Sequence, residues 1–107
     1  MAVAQVTAEA TSSFAELPSG LTLHYHRAGD PANPTVVMLH GGGPGASAWS
    51  NFGRNLAVLS ERFHVLAVDQ PGFGQSGKPA QLPKQFFTFS ADTVAELLDQ
   101  LGVETAH

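Results

Sequence analysis

The sequence contains no cysteine. That single absence removes disulfide staples, thiolate nucleophiles and cysteine-based zinc sites. Cations are also scarce: five Lys and Arg stand against nine Asp and Glu, for a formal net charge of −4. Without a basic patch there is nothing to track a phosphate backbone, so nucleic acid is excluded as a partner. No apolar run approaches the ~18 residues that a membrane helix needs. The first residues lack a basic n-region followed by an apolar core, so they do not read as a secretory leader. The cytoplasm is the expected location, with no membrane partner. The remaining composition, 43% hydrophobic and 13% charged over 107 residues, is that of one small globular domain.

What is present in excess is glycine, and it is concentrated. His40-Gly41-Gly42-Gly43-Pro44-Gly45 follows an apolar, β-branched run, Thr35-Val36-Val37-Met38-Leu39. Residues 1–13 are rich in Ala, Thr and Ser and are expected to be loose; residues 14–107 are expected to form the core domain. Residues 14–17 are a strand candidate. Pro18-Ser19-Gly20 is turn chemistry, and Leu21, Leu23 and Tyr25 then alternate with Thr22, His24 and His26. Together these predict a hairpin with one wet face, which would carry both histidines.

Residues 35–39 do not alternate, as in a parallel strand covered on both faces. Beyond the glycines, Trp49, Phe52, Leu56 and Leu59 recur at helical spacing behind Ser47, a natural N-cap. Residues 63–68 are a second buried strand ending at Asp69, which completes a βαβ unit. A Gly- and Pro-rich loop over residues 70–87 leads to a second helix with Val94, Leu97, Leu98 and Leu101 on one face. Ser90 is its candidate cap and Gly102 its C′ glycine. The β-α-β-α pattern stops where the next strand is due, so the chain is expected to be the N-terminal part of a larger protein.

Three glycines in a row leave backbone N–H groups bare at the start of a helix, a suitable place to stabilise negative charge. A purely structural turn is the plain alternative. A phosphate loop is the sharper rival, but the G-x-x-x-x-G-K-[ST] form is absent and the glycine spacing of G-x-G-x-x-G is not met. Oxyanion stabilisation is the favoured reading. Asp69, at the C-terminal end of a strand, sits where ligands bind in parallel sheets. With no histidine near it in sequence, it is expected to cap loop N–H groups instead. Ser76 lies outside any G-x-S-x-G elbow and makes a weak nucleophile. His40 either orients the glycine loop or fills space, and His64 is expected to be structural. His24 and His26 lack a third metal ligand, so no metal site is expected. Asn51, about one turn into the first helix, can present an amide toward the loop, unless it and Arg54 simply face solvent. Trp49 is expected to pack.

Residues 41–51 and 66–76, with Leu23-His24-Tyr25-His26 and Phe63-His64-Val65-Leu66-Ala67-Val68-Asp69, resemble the α/β-hydrolases that cleave meta-cleavage products. These are the carbon–carbon bond hydrolases of bacterial aromatic and steroid catabolism, and the last two segments resemble the branch acting on a seco-steroid product. The resemblance implies an α/β-hydrolase fold, of which this chain would supply the N-terminal hairpin and βαβα. It implies a small dienoate substrate, a Ser-Asp-His triad, no cofactor and a homo-oligomeric complete enzyme. It assigns Gly42 to the oxyanion hole, and Gly41, Gly42, Gly43 and Asn51 to substrate contact. The triad would come from a C-terminal segment beyond His107, leaving no catalytic triad residue in these 107. Two other readings stay open: a serine esterase or proline-iminopeptidase-like hydrolase, and a non-catalytic interaction fragment.

Overall fold

The computed structural model describes residues 6–78 and 85–107. The elements run α1 (Ala8–Thr11), β1 (Ser12–Glu16), β2 (Thr22–Ala28), β3 (Thr35–Leu39), α2 (Ala48–Leu59), β4 (His64–Val68) and α3 (Phe86–Gln100). The expected hairpin is present as β1 and β2, antiparallel with Ser12 opposite His26 and Phe14 opposite His24. It starts two residues earlier than the sequence pattern suggested. Ahead of it, part of the segment expected to be loose forms one helical turn, because the Thr7 hydroxyl accepts from the Ala10 N–H and caps it.

The four strands form one sheet in the order β1-β2-β4-β3. β3 and β4 are parallel and β2 joins β4 antiparallel, so the sheet is mixed around a βαβ unit. Beyond β3 the chain returns. Ala106 pairs parallel with Thr35, and His107 exchanges backbone hydrogen bonds with Thr35 and Val37. Residues 106 and 107 thus lie along the β3 edge.

The period of two along β4 sorts the core into two layers. Leu66 and Val68 join Leu23, Tyr25, Val94 and Leu97 on the α3 face; Val65 and Ala67 join Ala48 and Leu56 on the α2 face. Leu56 and Leu97 are fully buried, and each contributes on the order of 1.5–3 kcal/mol by leaving water. β4 is buried throughout, as expected of a strand covered on both faces. β3 is only partly so: Leu39 is 46% exposed, since β4 is its one full partner strand among the described residues.

The helix ends follow their local signals. Ser47 caps α2 in a reciprocal box with Ser50. Gly102, at φ +74°, ends α3 in a Schellman motif: its N–H reaches Asp99 O and the Val103 N–H reaches Leu98 O. The start of α3 corrects the sequence reading. The helix begins at Phe86 after Gln85, which makes no side-chain cap bond, and Ser90 lies a full turn inside. The Ser90 hydroxyl is spent on Gln70 instead. Most of the expected long loop is seen as turns over residues 70–78, and its residues 79–84 lie outside the described part.

Candidate oxyanion loop

The glycine loop leaves the C-terminal end of β3 and enters α2. Residues 41–45 are all exposed. Gly45 has φ +76°, a conformation that favours glycine; Gly41, Gly42 and Gly43 do not. A Cβ built on any of these three would meet nothing within 4 Å. The fold itself therefore does not require them to be glycine. Their N–H groups also find no acceptor among the described residues. A backbone that is bare, uncrowded and rich in free donors is suited to an occupant that must approach it closely.

His40 holds the base of this loop. The residue is 4% exposed. The Gln70 N–H donates to Nε2 at 3.0 Å, so that nitrogen carries no proton, and the Nδ1–H donates to Gly41 O at 2.7 Å. The Gln70 side chain donates from Nε2 to His40 O at 2.6 Å and accepts the Ser90 hydroxyl at Oε1, 2.9 Å away. Phe73 packs on the His40 ring at 5.0 Å. The loop is thus tied through Gln70 to α3. Of orienting the loop and filling space, the hydrogen bonds give His40 the orienting role.

Asp69 anchors the other side of the α2 N-terminus and does more than the sequence indicated. Oδ1 accepts the Ala48 N–H at 2.7 Å, and Oδ2 accepts the Gln75 N–H at 3.0 Å, which is the expected capping role. Oδ2 also accepts from His24 Nδ1 at 2.7 Å. Burial alone would raise this carboxyl, but the N–H bonds from Gln75 and Ala48 and the bond from His24 outweigh it and hold it below its ordinary range.

His24 and His26 are therefore not on a wet face. They are 0% and 3% exposed, beneath α1 and α2. His24 Nε2 meets the Ser12 hydroxyl at 2.7 Å, and His26 Nδ1 meets the Thr11 hydroxyl at 2.8 Å. Burial first, and the His24 ring second, lower the His26 pKa. His64 is structural as expected: Arg27 Nε donates to its Nε2 at 2.9 Å while Nδ1 faces Thr35 Oγ1 at 3.0 Å. Burial and then the Arg27 charge lower its pKa. Ser76 is buried and its hydroxyl is used by backbone, accepting from the His24 N–H and donating to Asp69 O. Trp49 packs against His26 at 5.2 Å. Asn51 is exposed on α2, and its amide makes no hydrogen bond among the described residues. No group of three potential metal ligands gathers among the described residues, and none of the helices there is long and apolar enough to cross a membrane.

A bare glycine loop between a parallel strand and a helix N-terminus, in a β1-β2-β4-β3 sheet with helices on both faces, is matched by a family model for the alpha/beta hydrolase fold over residues 34–107. This chain belongs to the α/β-hydrolases. It is 44% identical over 104 residues to the 2-hydroxy-6-oxononadienedioate/2-hydroxy-6-oxononatrienedioate hydrolase 2 of Pseudomonas putida, covering 92% of this chain and 36% of that one. Among solved structures, the 2-hydroxy-6-oxo-6-phenylhexa-2,4-dienoate hydrolase of Rhodococcus sp. strain RHA1 superposes with a TM-score of 0.79 at 40% identity, covering 91% of this chain and 37% of that one. A bacterial membrane phospholipase A superposes with a TM-score of 0.78 at 34% identity, covering 90% of this chain and 29% of that one. This α/β-hydrolase chain thus spans about a third of the length of the relatives it matches. The relatives that cleave dienoates are those anticipated from residues 41–51 and 66–76.

Sequence reasoning missed two links in this α/β-hydrolase. His24 and Asp69 stand 45 positions apart, and Gln70 and Ser90 stand 20 apart. No local spacing announces either pair. The one available signal was the direct neighbourhood of Asp69 and Gln70 at a strand end, where buried polar side chains need partners.

Proposed function

We propose that this chain supplies the oxyanion loop of a serine-triad hydrolase that cleaves a carbon–carbon bond in 2-hydroxy-6-oxo-dienoates. The observation that carries the reading is the trio Gly41, Gly42 and Gly43, whose glycine identity serves no need of the fold and whose N–H groups are unclaimed among the described residues. The dienoate-cleaving relatives at 44% and 40% identity support the substrate class. In this reading the Gly42 N–H donates to the oxygen that becomes negative when a serine attacks the ketone. Gly41, Gly43 and Asn51 contact the substrate. Preorganised donation of this kind contributes roughly 10²–10³ in rate. The serine, acid and histidine of the triad come from parts of the enzyme outside these residues. The enzyme acts in the cytoplasm as a homo-oligomer.

The test uses the full-length protein and follows loss of dienoate absorbance. Monocyclic dienoates and a seco-steroid dienoate are compared with p-nitrophenyl and phospholipid esters and with prolyl amides. A kcat/KM highest on a dienoate supports the reading, and the preferred dienoate decides the branch. Faster turnover of esters or prolyl amides overturns it in favour of the esterase or iminopeptidase alternative.

A further inference from the structure

A second constellation lies away from the glycine loop. Ser12 on β1, His24 on β2 and Asp69 at the end of β4 form a continuous chain of hydrogen bonds, 2.7 Å from Ser12 Oγ to His24 Nε2 and 2.7 Å from His24 Nδ1 to Asp69 Oδ2. Asp69 has no histidine near it in sequence, and the fold brings His24 to it. The side chains meet because Ser12 pairs opposite His26, one step along the same sheet face from His24. All three residues line a groove of about 500 Å³ between α1, β2 and the start of α2. His40, Gly41, Gly42 and Gly43 are not part of its wall.

The hydrogen-bond donors around Asp69 and His24 fix the roles. Asp69 is held ionised by backbone N–H groups and accepts the His24 Nδ1–H, which orients the ring. In the neutral imidazole the lone pair is then on Nε2, aimed at the Ser12 hydroxyl. That is a nucleophile bonded to its base, and a base bonded to its orienter. Two further residues, His26 and Trp49, line the same groove. His26 Nδ1 donates to Thr11 Oγ1, whose own proton goes to Thr7 O, so His26 Nε2 is an unprotonated acceptor with no partner among the described residues. Trp49 lies in the first turn of α2, and its backbone N–H finds no acceptor among the described residues.

We infer that Ser12 is an activated nucleophile in its own right, forming an acyl-enzyme with small uncharged esters. Ser12 Oγ bonds to the acyl carbon while its proton passes to His24 Nε2. The Trp49 N–H stands at the helix end that receives the tetrahedral oxyanion. The carbon–oxygen bond to the leaving alcohol breaks, its electron pair stays on the alcohol oxygen, and that oxygen takes the proton from Nε2. Water then attacks the acyl carbon by the same route, releasing the acid and restoring Ser12. Glu9 at the groove disfavours anionic acyl groups, while the Trp49 ring suits an apolar one. The site is independent of the dienoate reading.

The experiment treats the folded full-length protein with a fluorophosphonate and, separately, with p-nitrophenyl acetate, and locates the adducts by peptide mass spectrometry. Ser19 is an exposed serine on the adjoining turn and serves as internal reference. The expected result is modification of Ser12 at least about tenfold faster than of Ser19, since a positioned base contributes 10²–10⁴. In His24→Gln with an unchanged circular dichroism spectrum, the ratio falls to about one. Equal rates at Ser12 and Ser19 in the wild-type protein overturn the proposal, as does an undiminished ratio in folded His24→Gln. Should that variant fail to fold, the wild-type ratio decides alone. A modified serine elsewhere bears on the proposed dienoate centre and not on this one.

Discussion

The carboxylate of Asp69 occupies the space that a side chain at Gly74 would need. A Cβ built on Gly74 overlaps Oδ2 and Cγ and comes within 2.8 Å of Oδ1, and Gly74 also sits at φ +53°. The Pro71-Gly72-Phe73-Gly74 turn is therefore shaped around the acid that anchors α2. Gly74→Ala pays twice, through the left-handed backbone at ~1–2 kcal/mol and through displacement of a carboxylate that holds Ala48, Gln75 and His24. A loss of about 3 kcal/mol in urea unfolding is expected. Gly72→Ala, also at positive φ but with nothing within 4 Å, should show only the backbone part.

The Gln70–Ser90 bond links the glycine loop to α3 across the sheet end, and a double-mutant cycle measures it. Ser90→Ala leaves Gln70 Oε1 without its donor, and Gln70→Ala also frees His40 O. Each single change is expected to cost on the order of 1–3 kcal/mol. The pair should cost less than the sum by about 1 kcal/mol, since the second change removes a group already orphaned. Additive losses would show that the two residues act separately.

Those two relationships mark where the sequence stops being legible. α2, its Ser47 cap, β4 and the Gly102 terminus were readable because each is decided within a few residues by periodicity, φ or a local hydrogen bond. The glycine loop was readable for the same reason. His24 and His26 were not. Alternation in a strand assigns polar residues to water, but an imidazole is buried at little cost when its ring nitrogens find partners; Ser12 and Asp69 meet those of His24, and Thr11 meets Nδ1 of His26, all from other elements. Ser90 failed as a cap for a like reason. Its partner Gln70 is on another segment, and the helix starts without a side-chain cap. What decided these residues was which segments lie side by side, and that is set by the whole sheet.

Acid should destabilise the protein in two steps, the first traceable to His26 and His64 and the second to Asp69. His26 and His64 have folded pKa values below the ordinary 6.5, so the unfolded chain binds their protons first. Their contribution is complete above about pH 6.5 and is lost as pH falls through the lower folded values. Asp69 lies below its ordinary 3.8, so its contribution is present above about pH 4 and is lost only under stronger acid. Melting temperature is expected to be level above neutrality, to decline below about pH 6.5, and to drop again below about pH 4. In His64→Gln the first decline should be shallower and the second unchanged. A curve of unaltered shape would remove His64 from the account.

Gly42 and Gly45 are three residues apart and should respond to alanine in opposite ways. Gly45 is at φ +76°, so Gly45→Ala forces a left-handed alanine and is expected to cost ~1–2 kcal/mol of stability. Gly42 has an ordinary φ, and its added methyl meets no atom of the chain within 4 Å. Gly42→Ala should fold as well as the parent, or gain about 0.4–1 kcal/mol by restricting the unfolded chain. A methyl at that point instead occupies space beside the bare N–H groups, where a substrate oxygen is proposed to develop charge. Turnover of a dienoate by the full-length protein should then fall by about 10²-fold, the scale of a lost oxyanion contact. The combination of unchanged or raised stability with collapsed kcat separates a glycine kept for an occupant from one kept for the fold. If Gly42→Ala turned over dienoate at the parental rate, the open space over Gly42 would have no occupant in the reaction, and the oxyanion assignment would fall.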